Sequence, residues 1–193
     1  MSITTYTELQ AAVSSWLHRS DLGAVLPDFI TLTEEKFNRR LRVRQMELAL
    51  APAFITDDLV TIPANVVGVK SLWLSGYEAT PLKAQSLEHV VASDRNGLAT
   101  AYAWQGATWR FNGTGTAVGV LYRTVPPLAS NATNWLLTLA PSAYLFGALS
   151  ESFIWAKDPE AAQWASRCDQ ILDEISGNDK RDTYSGPLVS RAR

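Results

Sequence analysis

Phe37-Asn38-Arg39-Arg40-Leu41-Arg42-Val43-Arg44-Gln45-Met46 is the stretch on which the fold turns. Upstream of it, Ile30, Thr33, Phe37 and Leu41 recur at the three- and four-residue intervals of a helix stripe, with Leu26 leading in. Glu34, Glu35, Lys36 and Asn38 fall on the other faces of that helix. Downstream the period is two. Leu41 and Val43 alternate with Arg40, Arg42 and Arg44, whereas Met46, Leu48 and Leu50 have the opposite parity. A single flat strand cannot carry both sets on one face, so a helix end, bulge or turn is expected at Arg44 and Gln45.

Working back from this junction, Thr5 and Glu8 have the spacing of a capping box, with Thr5 at the N-cap. Leu9, Val13, Trp16 and Leu17 follow at helical intervals, and the helix is expected to stop near Ser20. Ser20 or Asp21 suits the cap of a short turn through Leu26, and Pro27 suits the first turn of the next helix. The first 45 residues thus supply two amphipathic helices, each needing a partner for its apolar face.

Working forward, 59–62, 66–74, 101–105, 108–112 and 117–124 read as strands. Thr56-Asp57-Asp58, Gln105-Gly106-Ala107 and Asn112-Gly113 read as hairpin turns, and 86–92 as one short helix. Residues 46–126 are therefore expected to form a small antiparallel β module. Val125-Pro126-Pro127 and 130–134 read as loop. Helical spacing then returns. Pro141 opens a helix with Tyr144, Leu145, Ala148, Leu149, Ser152, Phe153 and Ala156 on its stripe. Asp158, followed by Pro159, is the expected cap of the next helix, which presents Ala161, Trp164, Cys168, Ile171, Leu172 and Ile175. Gly177 marks one possible end; the polar run to Thr183 is the other. Residues 184–193 have no period and form a basic tail.

The expected class is α+β: mainly a bundle of about four helices, from 1–45 and 127–183, with the β module inserted at 46–126 and an extended tail at 184–193. Hydrophobic content of 47% and a charged fraction of 19% suit a globular chain. Seven tryptophans with few charges favour a subunit that buries surface against partners. The single cysteine, Cys168, excludes an internal disulfide and reads as a buried apolar side chain. The first residues lack the basic and apolar regions of a signal peptide, and no apolar run reaches membrane-spanning length. The expectation is a protein made in the cytoplasm, with no membrane partner.

Chemistry-bearing motifs are sparse. His18 and His89 lie far apart without neighbours at metal spacing, and no H-E-x-x-H occurs. His18 reads as a group serving the carbonyls at a helix C-terminus. The glycines of 113–119 do not have dinucleotide-loop spacing. Asp57-Asp58 and Glu34-Glu35 read as solvated pairs rather than a general acid and base. No catalytic, cofactor or metal residue is nominated, and the expectation is a protein that is not an enzyme and holds no cofactor.

What remains is the arginine run. The net charge is only −2, so with Arg39, Arg40, Arg42 and Arg44 set aside the rest of the chain carries −6. Three readings stand open. The arginines offset a helix C-terminus, with ion pairs to Glu34, Glu35 or Glu47. They face an acidic protein surface, for which the planar guanidinium suits better than lysine. Or they contact DNA through a local patch. In the tail, Tyr184, Pro187, Leu188, Val189, Arg191 and Arg193 are candidates for a partner's groove.

Four strings in order carry a resemblance: 3–10 with Trp16-Leu17, the run 37–46, Asn134-Trp135-Leu136-Leu137, and Tyr144-Leu145-Phe146-Gly147-Ala148-Leu149. The chain resembles the head-to-tail adaptor proteins of tailed bacteriophages, the group similar to the tail tubular A adaptors of short-tailed phages. The resemblance spans almost the full length. It implies a structural virion protein at the head–tail junction: a helical bundle with an inserted β-rich region, assembled as a ring, typically a dodecamer, below the portal protein. Such a ring offers a platform for tail or nozzle proteins and extends the channel through which genomic DNA passes without sequence-specific binding. It also implies that 182–193 reach along the portal. Arg39, Arg40, Arg42 and Arg44, with Glu34 and Glu35, are the expected subunit or portal contacts. A DNA-binding accessory protein using the arginine run is the alternative.

Overall fold

The computed structural model describes residues 3–19, 21–93 and 97–183. Its elements, in chain order, are α1 (Tyr6–Leu17), α2 (Leu26–Arg40), a 3-10 turn (Arg44–Met46), β1 (Glu47–Phe54), β2 (Leu59–Thr61), β3 (Val66–Leu74), β4 (Lys83–Ala84) and α3 (Leu87–Ala92). There follow β5 (Ala101–Gln105), β6 (Thr108–Phe111), β7 (Thr116–Arg123), α4 (Trp135–Leu139), α5 (Pro141–Trp155) and α6 (Ala161–Thr183). The class is α+β, with six α-helices and two sheets among the described residues. Internal contacts divide the chain into two units, one of 1–45 with 125–193 and one of 46–124.

The helical unit is organised on α5. Its buried residues include Ala143, Tyr144, Leu145, Gly147, Ala148 and Leu149, which cover almost the full circumference, so α5 packs against α1, α2, α4 and α6 together. Leu9, Ala12 and Val13 of α1, Phe29, Ile30 and Phe37 of α2, and Cys168 and Leu172 of α6 complete the core. Gly147 sets the α2–α5 approach: a Cβ there would lie 2.3 Å from Cγ2 of Thr33, which only a missing side chain accommodates. Burial pushes the Cys168 thiol up to about 11, consistent with its role as a small packed side chain.

The helix ends show which local signals act. Thr5 and Glu8 form the capping box. α1 stops at Leu17, earlier than Ser20, because His18 adopts the left-handed conformation (φ 51°) and its backbone N–H closes the last turn on Ser14 and Ser15. His18 thus acts through its backbone. Pro27 sits in the first turn of α2, as its fixed φ favours. α6 starts at Ala161, not after Asp158, whose carboxylate instead accepts Glu160 N–H in a turn that precedes the helix. It runs through Gly177 to Thr183. Directly after the loop at 130–134 comes the short α4, which the periodicity does not mark: Asn134 accepts Leu137 N–H as its cap.

In the β unit, one sheet has the order β1-β7-β3 and is antiparallel; the other has the order β2-β6-β5-β4. The module is not purely antiparallel, because β4 pairs with β5 in parallel. The intervening α3, capped by Ser86, supplies the crossover that parallel pairing requires. Trp109, Phe111, Leu72, Leu74 and Leu121 from both sheets share one core. The turn at Gln105-Gly106-Ala107 does join a hairpin, β5 to β6. Asn112-Gly113 does not: β6 and β7 lie in different sheets, and the Asn112 side chain accepts the N–H groups of Thr100 and Ala101. Gly119, inside the glycine-rich run, is a packing residue; a Cβ there would lie 2.4 Å from the Ser71 carbonyl oxygen. The parity change after Val43 is absorbed by the 3-10 turn, after which β1 carries Leu48 and Leu50.

Candidate interaction surface

The arginine run has four different fates. Arg40 reaches α6, with ion pairs to Asp169 at 3.3 Å and Asp173 at 2.9 Å. Lys36, one turn earlier, pairs with Asp169 at 2.8 Å. Arg44 lies beyond the helix end and pairs with Asp179 at 2.9 Å and Asp182 at 2.8 Å. Its pKa is raised, chiefly by the hydrogen bond to Asp179. Arg42 donates to the carbonyls of Asn38 and Leu41, the last acceptors of α2. Arg39 is 71% exposed and lies 3.7 Å from Glu35 on its own helix.

The cations stand out in the sequence, whereas their aspartate partners lie far downstream on α6. Asp169, Asp173, Asp179 and Asp182 recur along α6 at intervals of four, six and three residues; the first two meet Lys36 and Arg40 of α2, and the last two meet Arg44 beyond its end. That spacing was the available signal. The positive knot is thus largely neutralised within its own unit. Glu47, an expected partner, pairs with Lys70 instead.

Glu34 does not face solvent with Glu35. It is buried, because loop 125–134 folds over α2 and supplies its partners. One carboxylate oxygen accepts Leu128 N–H at 2.8 Å and the Tyr144 hydroxyl at 3.2 Å. Tyr144 in turn accepts from the Asn134 amide, which also donates to the Pro126 carbonyl. Asn38 fastens the same loop by accepting Val125 N–H. Desolvation raises the Glu34 pKa above the ordinary carboxylate value, against the lowering effect of its two hydrogen bonds. The Tyr144 hydroxyl is also pushed up, by burial first and then by Glu34.

Large apolar side chains lie on the outside of the helical unit. Ile154 and Trp155, at the end of α5, are 57% and 53% exposed. Trp16 is 48% exposed and packs edge-on against Phe146 and Trp164, over which Arg167 stacks. A groove of about 400 Å³ runs beside the C-terminal half of α6, bounded by the α4–α5 corner and Arg44. The tail candidates Tyr184, Pro187, Leu188, Val189, Arg191 and Arg193 lie outside the described residues. Among the described residues no three His, Cys, Asp or Glu side chains group to hold a metal, and no helix is long and apolar enough to cross a membrane.

No curated protein matches the chain at a significant level. The family model of the SU10 adaptor proteins matches residues 4–191, nearly the whole sequence. With the helical unit, the β unit and the surface above accounted for within that span, the chain belongs to the SU10 adaptor protein family, a family of phage head-to-tail adaptors.

Proposed function

We propose that this protein is a structural, non-enzymatic component of the virion that sits at the head–tail junction, after being made in the host cytoplasm. Copies of the chain form a ring, a dodecamer, between the portal protein and the tail or nozzle proteins. The ring extends the DNA channel, and genomic DNA passes through it without sequence-specific binding. Family membership over 4–191 carries this reading. In this scheme the four long helices act as one bundle, with α5 as its shared member, and 46–126 is a module inserted into it. The segment 184–193 is the portal-binding tail.

The surface supports the assignment. Exposed Ile154, Trp155, Trp16 and Leu32 are the kind of apolar residues that assembly covers. Arg39 and Glu35 are the charged contacts to a neighbour: both are well exposed, and their mutual pair is too long and solvated to hold them. Arg40 and Arg44 serve instead to fix α6 on α2. Because they are already matched by aspartates, the DNA-binding alternative loses half of its four arginines.

The test is assembly on purified portal rings, scored by native mass. Arg39→Ala and Glu35→Ala are expected to reduce ring occupancy several-fold while leaving the monomer folded. Deletion of 184–193 is expected to abolish portal binding. Full ring occupancy by both point variants would remove these residues from the interface, and unchanged binding by the truncated chain would remove the tail.

A further inference from the structure

Two faces of the helical unit carry matching patterns. α2 and α6 run in the same direction, since Lys36, Arg40 and Arg44 meet Asp169, Asp173 and Asp179 in rising order. Those contacts occupy one flank of α6. At about 3.6 residues per turn, Arg167 and Glu174 are turned about 160° and about 140° away from Asp169, onto the other flank. There Arg167 lies 5.1 Å from the Trp164 ring, and Trp164 meets the half-exposed Trp16 at 5.6 Å. Among the described residues neither Arg167 nor Glu174 has an ion-pair partner. On α2, Leu32, Glu35 and Arg39 are exposed on the side away from the buried Ile30, Thr33 and Phe37. We propose that a second copy of this chain seats that face of its α2 on the free flank of α6. Leu32 covers Trp16 and Trp164, Glu35 meets Arg167, and Arg39 meets Glu174. This rests on the ring reading above and supplies the partner that Arg39 and Glu35 need in it.

Charge order sets both the partner and its direction. Along α2 the order is apolar, acid, base; along α6, read the same way from Trp164, it is apolar, base, acid. Leu32 to Glu35 and Trp164 to Arg167 are each about 4.5 Å of helical rise. Glu35 to Arg39 is about 6 Å and Arg167 to Glu174 about 10.5 Å, a difference that the long arginine side chains cover. With α2 reversed, only one of the two charge pairs forms. The parallel order is the one that rotation about an axis along the helices preserves, because α2 and α6 are already parallel within one copy. The two faces are turned away from each other in that copy, so the contact joins unlike surfaces and repeats from one copy to the next. Each α6 is then held between its own α2 and the neighbour's. Trp16 and Trp164 anchor the contact, and the charges fix its register.

The experiment uses the full chain on purified portal rings, scored by native mass spectrometry. Arg39→Glu and Glu174→Arg are each expected to lower the number of bound copies at least fivefold. The chain carrying both is expected to regain at least half of the wild-type occupancy, because the pair is restored with its signs exchanged. Both positions are exposed, so the core is untouched. A second readout needs no portal. Thr31→Cys and Gln163→Cys lie one turn before Glu35 and Arg167 and leave both charge pairs in place. The concentrated chain carrying both cysteines, treated with a short bismaleimide, is expected to give a ladder of linked copies, and either cysteine alone is expected to give none. Cys168 is buried and does not react. Single charge variants that assemble like wild type, or a combined variant no better than either, overturn the contact while the ring reading stands. A wild-type chain that leaves the portal bare overturns the ring reading; the ladder then decides the contact alone, and its absence overturns it. Equal linking by either cysteine alone overturns the pairing of α2 with α6.

Discussion

At the scale of single residues, Glu34 is the most consequential side chain in the helical unit. It holds loop 125–134 to α2 and α5 through Leu128 and Tyr144, and no cation among the described residues pairs with it. Glu34→Ala leaves two buried donors without an acceptor and is expected to cost about 2 kcal/mol or more, measured by urea unfolding. Glu34→Gln keeps an oxygen acceptor and removes the charge, so it is expected to raise the melting temperature at neutral pH. The pH dependence has a definite sign. The folded pKa is raised, so the folded state holds the proton more tightly than the unfolded one, and the stability this gives is complete below the ordinary glutamate value. That stability is lost as pH rises from there through the folded pKa. Comparison of wild type with Glu34→Gln across this window is expected to show the fall in the wild type only. A Glu34→Gln protein less stable than wild type at neutral pH would show that the charge is stabilised by its hydrogen bonds after all. Gly147 gives a second test: Gly147→Ala is expected to destabilise by about 1–3 kcal/mol through contact with Thr33, despite alanine's better helix propensity. Thr33→Ser in the same chain, which removes the clashing methyl, should restore part of the loss.

At the scale of elements, Arg44 reaches the last turns of α6 through Asp179 and Asp182. Arg44→Ala is expected to lower amide exchange protection over 177–183 several-fold at low salt, with little change in the α5 core; Arg39→Ala should leave that region unchanged. Equal protection in both variants would mean that α6 persists to Thr183 by its own propensity. The same element shows what the sequence discloses and what it withholds. Thr5, Glu8, Pro27 and Pro141 act through local backbone chemistry, so the ends they mark are legible from the chain alone. Gly177 is ambiguous locally; the helix continues to Thr183, where Asp179 and Asp182 meet a residue more than 130 positions away. Glu34 looks solvated beside Glu35 because its burial depends on loop 125–134, whose path over α2 has no periodic signal. Asn112-Gly113 has hairpin composition, yet β6 lies between β2 and β5 in one sheet and β7 between β1 and β3 in the other, so the link crosses between sheets. The arginine run was visible as a charge anomaly; its neutralisation by an acidic row on α6 required pairing two helices that the sequence keeps apart.

At the scale of the whole molecule, the β unit and the helical unit each close a core of their own. What the molecule leaves open is surface: the apolar end of α5, the Arg39–Glu35 corner and the acidic groove beside α6. The most direct measurement is native mass spectrometry of the full chain mixed with purified portal rings, set beside the same chain titrated with duplex DNA at two salt concentrations. The account predicts a discrete complex in which the number of adaptor copies matches the portal's own ring, and no stable complex with the duplex. A chain that leaves the portal rings at their bare mass, and instead binds duplex DNA with an affinity that falls steeply as salt rises, would contradict it.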